Sequence, residues 1–240
     1  MITDNAYVLH GRAYRNTSMI VDMFTQQHGR IGLVARGAKR PNSDLYSILQ
    51  PFRSLFISWG GRGELKTLYS AESLRDTKLP ELHGEQLFLG FYVNELMARL
   101  LHHDEAHSDL YMNYQYCLQR LAQGGDNEAS LRNFELALLD ELGYGVNLRH
   151  DYQSDEEVIA DKVYVFHPER GVTQVHTADV TDVCVHGDTL LALSEQQLKG
   201  DRQRNQAKLL LRAIIEYHLD GRPLKTRELF SRRNHLHSSE

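Results

Sequence analysis

Residues 30–41 read Arg30-Ile31-Gly32-Leu33-Val34-Ala35-Arg36-Gly37-Ala38-Lys39-Arg40-Pro41, and their alternation decides how the first third of the chain is read. Successive side chains of a strand point to opposite faces, so Ile31, Leu33 and Ala35 share one face while Arg30, Val34 and Arg36 share the other. Gly37 to Pro41 then adds Lys39 and Arg40 in a loop. On either side, Ala6 to His10, Ser18 to Thr25, Phe52 to Trp59 and Glu64 to Ser73 are equally short runs, separated by Gly, Pro, Asn and Asp and without a sustained helical period. Five such strands in about 75 residues, tightly connected and with no room for a crossover helix, predict a small antiparallel barrel of the OB-fold type.

From Pro80 the period becomes helical. Glu85 to Leu101 is apolar around most of its circumference and predicts a buried, central helix. A second helix is expected from Ser108 to Ala122, and a third from Glu128 to Leu142 with Asp126 or Asn127 as N-cap and Gly143 as C-cap. Short connections imply an antiparallel bundle. Lys162 to Phe166 and Val172 to His176 flank Pro168-Glu169-Arg170-Gly171 and predict a hairpin standing out from the helices. Asp188 to Leu198 predicts a short helix. In the last long helix, Asp201 to Leu219, Arg204, Lys208 and Arg212 form a basic stripe opposite Leu210, Leu211, Ile214 and Tyr217. Ser231 to Glu240 is polar and expected to fray. The expected architecture is α+β: an OB-fold β-barrel at 1–79, then an α-helical domain at 80–240 carrying a small hairpin near 162–176.

The 240 residues are 41% hydrophobic and 25% charged, which excludes disordered and low-complexity classes. No apolar run is long enough to span a bilayer and no leader pattern opens the chain, so a cytosolic protein is expected. Cys117 and Cys184 are too few for a disulfide scaffold or a four-cysteine zinc site. The net charge of −5 hides a polarised distribution. Residues 1–80 carry 11 basic and 6 acidic groups (+5), 81–150 carry 4 and 11 (−7), 151–200 carry 3 and 10 (−7), and 201–240 carry 9 and 5 (+4). Basic ends around an acidic middle suit a polyanion partner despite the acidic total.

Catalytic patterns are weak. His103 and His107 stand four apart without an HExxH pattern or a third ligand, and read as a solvated helix end. Trp59-Gly60-Gly61-Arg62-Gly63 lacks the Gly-Lys-Ser/Thr ending of a phosphate loop and reads as a basic hairpin turn. Glu95 and Arg99 form a helical ion pair of structural character. No nucleophile elbow, Walker or Rossmann pattern occurs, so a binding protein is expected, with no catalytic residues, cofactor or metal. Arg30, Arg36, Lys39, Arg40, Arg62 and Lys66 on the barrel, with Arg204, Lys208 and Arg212, are the candidate phosphate contacts for a nucleic-acid strand. Tyr7, Tyr14, Tyr46, Phe56, Trp59 and Tyr69 are possible stacking surfaces, most of them expected in the core.

Several segments in order carry a resemblance. They are Tyr7-Val8-Leu9-His10, Asp22-Met23-Phe24-Thr25, Leu33 to Ala38, Leu49-Gln50-Pro51-Phe52, Gly60 to Leu68, Asn94-Glu95-Leu96, Phe134 to Leu139 with Leu142-Gly143-Tyr144-Gly145, and Pro223 to Phe230. End to end, the chain resembles the RecO family of bacterial recombination mediators. The resemblance implies an OB-fold joined to a helical domain, and a non-enzymatic role: binding single- and double-stranded DNA and annealing complementary strands. It also implies partners, namely the acidic C-terminal tail of single-stranded DNA-binding protein, RecR, and a functional link to RecA loading. Such a tail needs an apolar pocket with a cation for its carboxylate, and Arg132 is the candidate. Many relatives hold zinc through four cysteines after the Leu-Gly-Tyr segment. Asn147 to His176 contains none, so the hairpin is expected to hold by packing alone. A different class remains open, an interaction scaffold in which the OB-fold recognises protein without touching DNA.

Overall fold

The structure, a computed structural model, describes residues 1–74, 81–175 and 183–228. The expected boundary at 79/80, His176 of the expected hairpin and the expected frayed tail lie outside the described residues. The chain forms two compact units, Met1–Gly124 with the segment beginning at Leu224, and Gly125–Pro223.

In the first unit, β1 (Ile2–Tyr14), β2 (Ser18–Thr25), β3 (Gly29–Ala35), β4 (Ser54–Gly60) and β5 (Leu65–Ser73) close into a barrel of order β1-β2-β3-β5-β4. The ladders are antiparallel except β3 with β5, where Gly32 to Ala35 run parallel to Leu65 to Leu68 and complete the OB-type closure. Alternate residues fill the interior: Val21 and Met23, Ile31, Leu33 and Ala35, Leu55, Ile57 and Trp59 are all buried.

Strand ends follow backbone sterics. β4 starts at Ser54 rather than Phe52 because Phe52 has φ 68°, and β3 stops at Ala35 because Gly37, φ 71°, already belongs to a turn. β1 runs past His10 because Gly11 to Tyr14 pair with Val21 to Ser18, although their own sequence has no apolar alternation. The connections have room for a single helical turn, α1 (Leu45–Ile48), which joins β3 to β4 and packs Leu45 and Ile48 against the barrel core.

The same unit holds α2 (Gly84–Leu100) and α3 (Ser108–Ala122). Tyr92, Val93, Leu96 and Met97 of α2 are buried as expected, and so is Asn94. The β1–β2 register shifts between Val8 and His10, and Asn94 Nδ2 donates there to the carbonyls of Val8 (3.4 Å) and Leu9 (3.0 Å) while Oδ1 accepts from Tyr114 (2.7 Å). Tyr7, Phe24, Tyr111 and Tyr114 stack tilted or edge-on around this point.

The second unit contains α4 (Asn127–Glu141), a three-stranded sheet of order β7-β6-β8 made of β6 (Val163–His167), β7 (Gly171–Gln174) and β8 (Cys184–His186), then α5 (Gly187–Ser194) and α6 (Gly200–His218). The expected hairpin is β6–β7, but it gains a third strand and does not stand apart. Tyr164, Val165, Phe166, Val172 and Val185 are buried, and Gln206 of α6 accepts from the His186 amide and the Thr189 hydroxyl. Nor does packing alone hold it. The buried Asp151 carboxylate accepts from Thr173 Oγ1 (2.9 and 3.0 Å), from the amides of Gln174 (2.6 Å) and Gln153 (2.8 Å), and more weakly from that of Ser154 (3.3 Å). Burial pushes this carboxyl up, but the hydrogen bonds outweigh it and hold it below its ordinary range.

Candidate nucleic-acid interface

The cations concentrate at one lip of the barrel because two turns meet there. The Lys39 amide donates to the Thr17 carbonyl (2.9 Å), tying the loop after β3 to the β1–β2 turn. Left-handed Gly37 lets the loop reverse, and the Arg40 side chain folds back over it: a Cβ there would stand 3.4 Å from Arg40 Nε. Arg36, Lys39 and Arg40 are exposed, with no acidic partner among the described residues. Arg62 is exposed in the β4–β5 turn, at the opposite end of the barrel, where Trp59 pairs with Ile2 at the start of β1, and so stands outside this lip. Two further cations complete the patch and were missed in the sequence: Arg12, opposite Ile20 on β2, and Arg15, whose guanidinium lies 5.1 Å over the Tyr14 ring. Two arginines bracketing a hairpin turn were the available signal.

The remaining cations are committed to the fold. Arg30 binds Asp22, across the β2–β3 ladder, through Nε (3.0 and 3.1 Å) and Nη2 (2.7 Å), and its Nη1 donates to the Leu101 carbonyl (2.9 Å). Facing out from the barrel places Arg30 against the chain that leaves α2, with its side chain only 16% exposed. Lys66 pairs with Asp104. The α6 stripe is exposed on one side as expected, but it is neutralised. Asp126 accepts the Ala129 amide as N-cap of α4 with Oδ1 and holds Arg204 with Oδ2 (2.6 Å), while Glu128 binds Lys208 (2.9 Å) and Arg212 pairs with Glu216 (2.8 Å). The hydrogen bond that Arg204 donates to Asp126 shifts its guanidinium upward from its ordinary value.

Arg132 is buried rather than solvated. Its Nη2 donates to Glu135 (2.8 Å), its Nη1 lies 3.5 Å from Glu128, and its Nε has no hydrogen-bond partner. His107, expected at a solvated helix end, is buried at the N-cap of α3. Among the candidate stacking aromatics, only Tyr7 and Trp59 lie in the core, while Tyr46, Phe56 and Tyr69 are exposed. The four-cysteine zinc site that the resemblance implies for many relatives does not fit this chain. Residues 147–175 hold no cysteine, the Asp151 oxygens are taken up by protein donors, and among the described residues no three His, Cys, Asp or Glu side chains form a metal-holding group. No helix among the described residues is long and apolar enough to cross a membrane.

Comparison with known proteins agrees with this geometry. Residues 1–76 match the family model described as recombination protein O N terminal, and residues 82–228 match recombination protein O C terminal. The chain is 44% identical over 230 residues to the DNA repair protein RecO of Methylococcus capsulatus, covering 96% of this chain and 93% of that one. It is 41% identical to RecO of Cupriavidus metallidurans (95% and 76%) and 43% identical to RecO of Serratia proteamaculans (95% and 92%). With an OB-type barrel, a cationic lip and both family models matched in order, the chain belongs to the RecO family of DNA repair proteins.

Proposed function

We propose that this protein is a non-enzymatic recombination mediator, active in the cytoplasm and at the nucleoid, that binds single- and double-stranded DNA through the barrel lip and anneals strands coated with single-stranded DNA-binding protein. The observation that carries the reading is the cluster of Arg12, Arg15, Arg36, Lys39 and Arg40 where two turns join, with none of these side chains paired to an acid among the described residues. Two complementary strands repel through their phosphates. A surface that neutralises both lowers that barrier and raises their local concentration, and neither effect needs a bond-making residue. RecR as partner and assistance to RecA loading belong to the same proposal, and family membership supports them.

Arg132 is the proposed contact for the terminal carboxylate of the acidic tail. Its unpartnered Nε supports this, and Glu128 is the group the tail displaces, since Glu128 also has Lys208 to bind. The test is annealing of complementary oligonucleotides coated with full-length single-stranded DNA-binding protein or with a version lacking its tail. Acceleration that requires the tail supports the mediator reading. Failure to anneal or bind either coated strand at any salt concentration favours the scaffold reading.

A further inference from the structure

Tyr69 on β5 has 56% of its surface exposed, and an irregularity of the ladder puts it there. The β4–β5 register shifts between Ser58 and Trp59: Ser58 pairs with Ser70 and Trp59 with Leu68, which leaves Tyr69 as the extra residue. A bulge of this kind bends its strand and re-aims the side chain. The ring comes down on Gly60, where a Cβ would stand 2.8 Å from the Tyr69 hydroxyl and 3.0 Å from Cε2. Glycine therefore lets the backbone support the ring. The parallel β3–β5 ladder ends at Ala35 opposite Leu68, the residues that immediately precede Arg36 and Tyr69. Lys39 and Arg40 follow Arg36, and Arg62 stands in the turn beyond Gly60. Glu64 in that turn and Glu72 along β5 are the acids of this stretch.

A supported aromatic ring at the edge of an unpaired cation cluster is complementary to a chain that offers phosphates and free base faces together. Single-stranded DNA does so, whereas the base faces of a duplex are closed by stacking. We propose that Tyr69, seated on Gly60, is a stacking platform for an unpaired nucleobase and gives the cationic lip a preference for single strands over duplex. The proposal rests on the reading of Arg36, Lys39 and Arg40 as phosphate contacts.

Fluorescence anisotropy on the full chain tests it, with a labelled oligothymidylate, a duplex of equal length, and a single strand of abasic sites that keeps the phosphates and lacks the bases. Tyr69→Ala is expected to weaken oligothymidylate binding about five- to a hundredfold. Duplex binding and the salt slope should stay within about twofold and about half a unit of wild type, because no phosphate contact is lost. Tyr69→Phe should restore binding, and the wild-type preference for oligothymidylate over the abasic strand should vanish in Tyr69→Ala. A parallel loss on all three probes, or an unchanged single-strand preference, overturns the stacking proposal alone. A wild-type protein that binds none of the three overturns the phosphate reading and this proposal with it.

Discussion

Glu95 was legible as half of a helical ion pair with Arg99, and that pair forms (2.8 Å), but its larger task lies elsewhere. Its carboxylate accepts the Lys225 amide (2.9 Å), the Thr226 amide (2.9 Å) and the Thr226 hydroxyl (2.8 Å), so it caps the turn that begins after the buried Leu224, 130 positions downstream. Burial pushes the carboxyl up, yet the hydrogen bonds from Thr226 and Lys225 and the Arg99 charge outweigh it and hold it below its ordinary range. A depressed folded value stabilises the fold above the unfolded carboxyl pKa of about 4.3, and that contribution fades as pH falls through the folded value. Glu95→Gln should therefore cost about 1 to 2 kcal/mol by urea unfolding at pH 7 and progressively less as pH is lowered below about 4. An equal cost at both ends of that range would show that the charge is irrelevant. Sequence spacing revealed Arg99 because the partner is four residues away, and it hid Thr226 because no local period reports a long-range cap.

At the scale of elements, alternation and helical period exposed the strand and helix cores, since burial imposes those periods directly. Element ends and charge partners were less legible. Phe52, through its own φ, holds back the start of β4 to Ser54, and β8, with three residues, is too short to display a period. The α6 stripe teaches the same lesson. Its spacing correctly marks a polar face and, at i,i+4, the Arg212–Glu216 pair, but Asp126 and Glu128, which neutralise Arg204 and Lys208, sit at the N-cap and first turn of α4, and nothing in the α6 sequence announces them. We predict that Arg204→Ala with Lys208→Ala leaves the slope of log K against log salt for DNA binding within about half a unit of wild type. Thermal unfolding should show only a small loss of stability, because these pairs are partly exposed. A slope flattened by one unit or more would return these cations to the DNA surface.

For the whole molecule, the net charge of −5 is a poor guide, because acids and bases are sorted along the chain and then partly paired by the fold. The barrel and the helical region were legible, and their family resemblance with them. Of the nine candidate DNA contacts, five engage acids within their own unit, and Arg36, Lys39, Arg40 and Arg62 remain with Arg12 and Arg15. Pairing of this kind depends on which turns meet, and the Lys39 to Thr17 bond that joins them is a backbone contact with no side-chain signature. The most direct test of the cationic lip is the salt dependence of single-strand binding by wild type and by the Arg36→Ala, Lys39→Ala, Arg40→Ala triple variant. Three lost phosphate contacts should flatten the slope of log K against log salt by about two units and weaken binding uniformly across base sequences. Unchanged affinity and slope in a folded triple variant would contradict the account.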